Sequence, residues 1–140
     1  MEKSEIKKIL KLHEKWLAGK KDGEKAIFEN KDLIGVDLIG VNLSGADLSG
    51  ADLSGADLSG TSLCNTNLSG ANLYNADLTD TNLSGADLSG ANFFCADLSG
   101  VNFSGANISG TNFFCADLSD TNLSNANFTG ANKIDIDFQE

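Results

Sequence analysis

From Phe28 to Phe128 a Leu, Phe or Ile recurs at every fifth residue, twenty-one times without a slip. A period of five matches neither the 3.6 residues of a helical turn nor the two-residue alternation of a strand. Around each centre the pattern is also regular. Two before it stands mostly a small or β-branched residue, one before it usually Asp or Asn, and Ser-Gly usually follows. Volume suggests the arrangement: the large centre and the small residue point inward, and the other three face water. Ser-Gly supplies corners, because Gly tolerates the positive φ of tight turns, and Asp or Asn can bond locally to turn backbone. Short straight pieces joined by turns make a coil, and a coil buries its interior only when others stack on it.

The number of pentads per coil can be read from residues that should superpose. The run from Asn92 to Ser99, Asn-Phe-Phe-Cys-Ala-Asp-Leu-Ser, returns unchanged from Asn112 to Ser119. Val41, Thr61, Thr81, Val101 and Thr121, twenty apart, are all β-branched. Both predict four pentads per turn and a square cross-section. At about 4.8 Å per coil the repeat region makes a rod roughly 26 Å long.

With these residues in view, the segment from about Ala26 to Ala131 resembles the pentapeptide-repeat family, whose motif A-(D/N)-L-X-X it matches almost throughout. The resemblance implies an all-β solenoid, a right-handed quadrilateral β-helix of about five coils. Members of that family differ widely in function. Some are DNA mimics that bind DNA gyrase and protect it from quinolones, often as dimers through a C-terminal end that commonly carries a helix.

The remaining chain divides into an N-terminal cap and connector (1–25), the repeat region (26–132) and a short strand or tail (133–140). Residues 5–18 predict an amphipathic helix with Ile6, Ile9, Leu10, His13, Trp16 and Leu17 on one face, Ser4 as N-cap and Gly19 beyond the end. Its role is expected to be a lid over the first coil, whose exposed edge would otherwise invite stacking. Lys133 interrupts the five-residue phase and Phe138 recovers it. The last coil is expected to be covered by the tail or by a second molecule.

Charge is divided unevenly. Residues 1–31 hold nine lysines against six acids, whereas residues 32–140 hold Lys133 against fourteen acids, so the two parts carry about +3 and −13. Nucleic acid is an unpromising direct ligand, since phosphate neutralisation needs clustered cations. No apolar run reaches the ~18 residues of a membrane span, and the start lacks the apolar stretch of a secretion signal. Three cysteines do not suggest a disulfide framework. A soluble cytoplasmic protein with reduced thiols is expected, with no membrane partner. With one histidine, His13, and no grouping of metal-ligand type, neither catalysis, a cofactor nor a metal is expected.

Two surface columns stand apart. Asp37, Asp57, Asp77, Asp97, Asp117 and Asp137 form an unbroken carboxylate file. It can be read as drift between Asp and Asn at a solvated turn, as a weak cation stripe, or as a partner-facing stripe. Repulsion along it is expected to raise the aspartate pKa values. The second column is Ile34, Ser54, Tyr74, Phe94 and Phe114, with Ile134 as a continuation and Cys95 and Cys115 beside it. It is open to two readings, a partner or self-association face and aromatic stacking that stiffens the rod. Cys95 and Cys115 should lie one coil apart, within disulfide reach but poorly aligned, so free thiols are expected; Cys64 is isolated. The expected function is a non-enzymatic structural or interaction module for an unidentified protein, with homodimerisation through the C-terminal end or the aromatic column open. The alternative is a DNA mimic acting on gyrase or another topoisomerase.

Overall fold

The computed structural model describes residues 1–132; the tail 133–140, with Ile134, Asp137 and Phe138, lies outside the described residues. It opens with one helix, α1 (Lys3–Leu17), followed by a connector and a stack of coils. Each residue before a pentad centre forms a parallel bridge to the residue twenty further on, from Ile27↔Asp47 to Asn112↔Asn132. Adjacent turns therefore superpose after four pentads, as the two long-range sequence matches imply. Five coils follow one another (26–45, 46–65, 66–85, 86–105 and 106–125), and a sixth begins.

Most pentads use the same bonds. The backbone N–H of Leu38 donates to the Asp57 carbonyl at 2.9 Å, and that of Asp57 donates back to the Val36 carbonyl at 2.9 Å. Between centres the chain turns: Val41 N–H reaches the Leu38 carbonyl at 3.1 Å, closing a β-turn over Ile39 and Gly40. The Asp or Asn side chain caps that turn, accepting from the backbone N–H two residues on, as Asp97 does from Ser99 at 3.0 Å. Backbone and side-chain polar groups are thus satisfied wall by wall, as burial requires.

The interior is apolar and closed. The central residues from Phe28 to Phe113 are at most 2% exposed. Phe93 stacks on Phe113 with ring centroids 5.3 Å apart, and Phe103 meets both edge-on. Where Thr replaces Ala at the small position its hydroxyl is bonded, as Thr61 to the Leu38 carbonyl at 2.9 Å and Thr66 to that of Leu63 at 2.7 Å.

Over the first coil, α1 starts two residues earlier than expected. Glu2, not Ser4, occupies the N-cap position, and no side chain caps the helix; the N-terminal ammonium is bonded to the Asp32 carbonyl at 2.9 Å. Ile6 and His13 are buried, and Met1, Ile9 and Leu10 pack against the core. Trp16 and Leu17 lie at the rim of the lid and not under it: they are 40% and 38% exposed, with Trp16 stacked on His13. The last helical turn reaches the corner of the coil, where the Trp16 ring lies over Gly45, 3.2 Å from where a Cβ would stand. The connector doubles back tightly, with Gly23 so close to the helix that a Cβ would lie 2.2 Å from the Trp16 backbone nitrogen.

Candidate interaction site on the rod walls

The acidic file is assembled as a column by the bridges Asp37↔Asp57, Asp57↔Asp77, Asp77↔Asp97 and Asp97↔Asp117. Each carboxylate also serves its own turn. Asp57 Oδ1 accepts from Ser59 N–H at 3.1 Å and Ser59 Oγ at 2.7 Å; Asp117 accepts from the same groups of Ser119 at 2.9 and 2.6 Å. Sequence reading missed Asp80 and Asp120, which occupy turn positions with φ of 58° on the same wall. Among the described residues the one ion pair is Lys15–Asp22, on the cap, and no described lysine pairs with the file. The expected upward pKa shift is overturned at Asp117: the Ser119 hydroxyl and then its amide lower it. Local donors to the charged form outweigh a like charge one coil away.

The aromatic column is shorter than expected. Tyr74 stacks on Phe94 (5.7 Å, 10°) and Phe94 on Phe114 (5.5 Å, 9°). Tyr74 and Phe114 are 46% and 39% exposed. Ile34 is exposed too, but it is cut off from the rings by Ser54, whose hydroxyl turns to Asp52 at 2.8 Å. An Asn ladder backs the stack: Asn92 Nδ2 donates to Asn72 Oδ1 at 3.2 Å, and Asn112 to Asn92 at 3.4 Å. Each amide donates to the coil before it, here as on the wall where Asn127 donates to Asn107 at 3.5 Å. A carboxylate has no such donor, so the acidic wall cannot build this ladder.

Two further surfaces escaped the sequence reading. Ile27 and Ile39 are exposed on the first coil beside Ile34. Between α1 and the corner at Gly40, Val41 and Asn42 runs a groove of about 1120 Å³, lined on the helix side by Lys7, Lys8, Lys11 and Leu17. The lysines were legible as a helix face, but their distance from the coil edge was not.

The three cysteines are free. Cys64 accepts weak contacts from the Ser62 and Ser84 hydroxyls at 3.6 and 3.4 Å, whereas Cys95 and Cys115 are neighbours in successive coils of the aromatic wall, where the Cys115 thiol pushes that of Cys95 up. His13 is buried; its Nδ1 accepts the Ala26 N–H at 3.0 Å, and Nε2 has no partner among the described residues. No three His, Cys, Asp or Glu side chains among the described residues group as a metal site, and no described helix is long and apolar enough to cross a membrane.

No curated protein sequence matches the chain. Among solved structures it is similar to HetL from the cyanobacterium Nostoc sp. PCC 7120, a pentapeptide-repeat protein involved in heterocyst differentiation regulation: 33% identity over 82% of this chain, TM-score 0.57. The chain spans 58% of HetL's length. Rfr23 from Cyanothece 51142 shares 29% identity over 80% of this chain and 86% of its own, with a TM-score of 0.54. The pentapeptide-repeat protein alr5209 from Nostoc PCC 7120 shares 32% identity over 91% and 93% of the two chains, TM-score 0.49. The family model for pentapeptide repeats matches residues 24–55, 56–93, 71–110 and 91–130. With the repeat, the twenty-residue bridging and this match together, the chain belongs to the pentapeptide-repeat family.

Proposed function

We propose that this chain is a right-handed, four-sided solenoid that works as a non-enzymatic protein-interaction module, with the stacked rings of Tyr74, Phe94 and Phe114 as its contact surface. One observation carries the reading: three rings held in register stand at positions where the other walls mostly present hydroxyls. Aromatic side chains on a rigid scaffold bring large contact area at low entropic cost, and exposed apolar patches of this kind mark protein contacts. The closed interior, filled by Leu and Phe with its threonine hydroxyls bonded to carbonyls, supports a role in binding over one in catalysis. A reducing, cytoplasmic setting belongs to the proposal and is supported by the odd cysteine count.

The test replaces Tyr74, Phe94 and Phe114 by Ser, the usual residue at that position. The expected result is a folded rod that no longer self-associates in sedimentation or retains the proteins captured by the parent chain. If the variant loses only thermal stability while both kinds of association persist, the rings merely stiffen the wall and the reading fails.

A second reading is favoured by the acidic wall. The superposed carboxylates Asp37 to Asp117, with Asp80 and Asp120 beside them, form a linear array of negative charge. All faces together, residues 32–132 hold eleven acids and no lysine, about one charge per 2.4 Å of a rod roughly 26 Å long, against one per about 1.7 Å in duplex DNA. On this reading the rod mimics DNA toward gyrase or another topoisomerase. Supercoiling by purified gyrase that is unchanged at a large excess of the protein would remove it.

A further inference from the structure

Eight turn positions carry a side chain at positive φ: Asn30, Asn65, Asn75, Asn125, Asp80, Asp120, Cys95 and Cys115. Asn and Asp tolerate this conformation through their short polar side chains; Cys has no such advantage. Where such a side chain projects over the next coil, a glycine usually receives it. The oxygens of Asn30, Asn65 and Asp80 lie only 2.1–2.2 Å from where a Cβ would stand on Gly50, Gly85 and Gly100. The aromatic wall breaks this rule, since Asn75, Cys95 and Cys115 occupy the turn position in three successive coils. There the Cys95 side chain meets a side chain where the other walls offer glycine, and the Cys115 thiol is near enough to raise that of Cys95.

The backbone holds this pair in register. The bridges Asn92↔Asn112 and Asp97↔Asp117 lie on either side, and Cys95 N–H donates to the Phe114 carbonyl at 3.0 Å. Neighbouring Cα atoms at the coil spacing of about 4.8 Å fall inside the ~4.4–6.8 Å that disulfides span. Parallel side chains, however, keep the Cβ atoms near that same spacing, at or beyond the ~3.5–4.5 Å that a relaxed bridge prefers. A bond closed here is strained and exposed, which favours ready reduction. Cys115 is exposed and Cys95 half-buried.

We infer that Cys95 and Cys115 are a reversible dithiol–disulfide pair that clips the fourth coil to the fifth in response to a small-molecule disulfide such as oxidised glutathione. The Cys115 thiolate attacks one glutathione sulfur, forming a mixed disulfide and expelling a glutathione thiolate that takes up a proton. Cys95 then loses its proton and attacks the Cys115 sulfur, closing the protein disulfide and expelling the second glutathione thiolate. The two protein thiols give up two electrons and two protons in all, and one glutathione disulfide becomes two thiols. Cys115, the more exposed of the two, is the first attacker. Nothing in this chemistry requires the neighbouring rings to be a contact surface.

The test uses the full chain carrying Cys64→Ser, treated under native conditions with oxidised glutathione and read by intact mass. The expected product is a monomer lighter by two hydrogens, without adduct, that excess reduced glutathione restores. Adding Cys95→Ser should instead trap one glutathione on Cys115. In the wild-type chain, cleavage before aspartate separates all three cysteines, and the crosslink must join Cys95 to Cys115. Stable glutathione adducts on both cysteines, a covalent dimer, a crosslink to Cys64, or an unmodified chain after prolonged treatment would each overturn the inference.

Discussion

An aspartate in the acidic file is pulled in two directions. Asp77 accepts from the Thr79 amide at 2.9 Å and its hydroxyl at 2.5 Å, which hold the turn, yet Asp57 and Asp97 are bridged to it from the coils on either side. A neighbouring charge at about 5 Å repels by about 0.8 kcal/mol in water, while a hydrogen bond to a charged group contributes about 1.5–3 kcal/mol. Asp77→Asn keeps the acceptor but removes both the repulsion and the charge that strengthens its two bonds, so its urea midpoint relative to the parent should be highest at low salt and fall as salt screens the repulsion. Asp77→Ala loses both bonds and should cost about 1–2 kcal/mol. An Asn variant whose offset from the parent does not change with salt would show the file is not crowded. At Asp47 and Asp117 the hydroxyls of Ser49 and Ser119 lower the carboxyl pKa. Their contribution is present above the unfolded value and is lost as pH falls through the folded one, opposite to what crowding alone implies. The turn-capping role of Asp and Asn was legible in the repeat. The Asn ladder was not, because the twenty-residue register does not give the side-chain distances on which it depends: Asn127 donates to Asn107 at 3.5 Å although both also accept from a hydroxyl of their own turn.

The cap was legible in part, for a geometric reason. Helical spacing places Ile6, Ile9, Leu10 and His13 on one face, and those four are the residues that meet the core or lie buried. The same spacing continues to Trp16 and Leu17, but a periodicity carries no information on how far the coil beneath extends. His13 makes this joint sensitive to acid. Its neutral Nδ1 holds the first repeat residue through the Ala26 amide. Burial lowers its pKa, against a pull upward from the Ser44 backbone, and the nearby Lys25 charge lowers it further. Protonation would set an N–H against an N–H. A base whose folded pKa is depressed contributes stability above its unfolded value, near 6.5, and loses it as pH falls below that. Between pH 7 and 5 the unfolding midpoint should therefore drop more in the parent than in His13→Asn, whose amide oxygen can accept the same bond without titrating. Equal slopes would mean that this joint does not titrate.

For the molecule as a whole, the feature that governs behaviour is that coil meets coil after twenty residues, with mostly the same bonds each time. Stability in such an array is a sum over neighbours. Excising residues 66–85 should then leave a shorter rod that folds, with Asp57 bridged to Asp97 and a lower midpoint. Excising residues 66–83 shifts every centre off its column and should abolish cooperative unfolding; two deletions that behave alike would contradict four-pentad stacking. The same bonding makes the rod a store of length. A coil rises about 4.8 Å along the axis, yet its twenty residues reach roughly 70 Å when drawn out. Under tension between its ends the chain would yield coil by coil, each release paying out roughly 65 Å of slack. A disulfide between Cys95 and Cys115 would withhold one such increment.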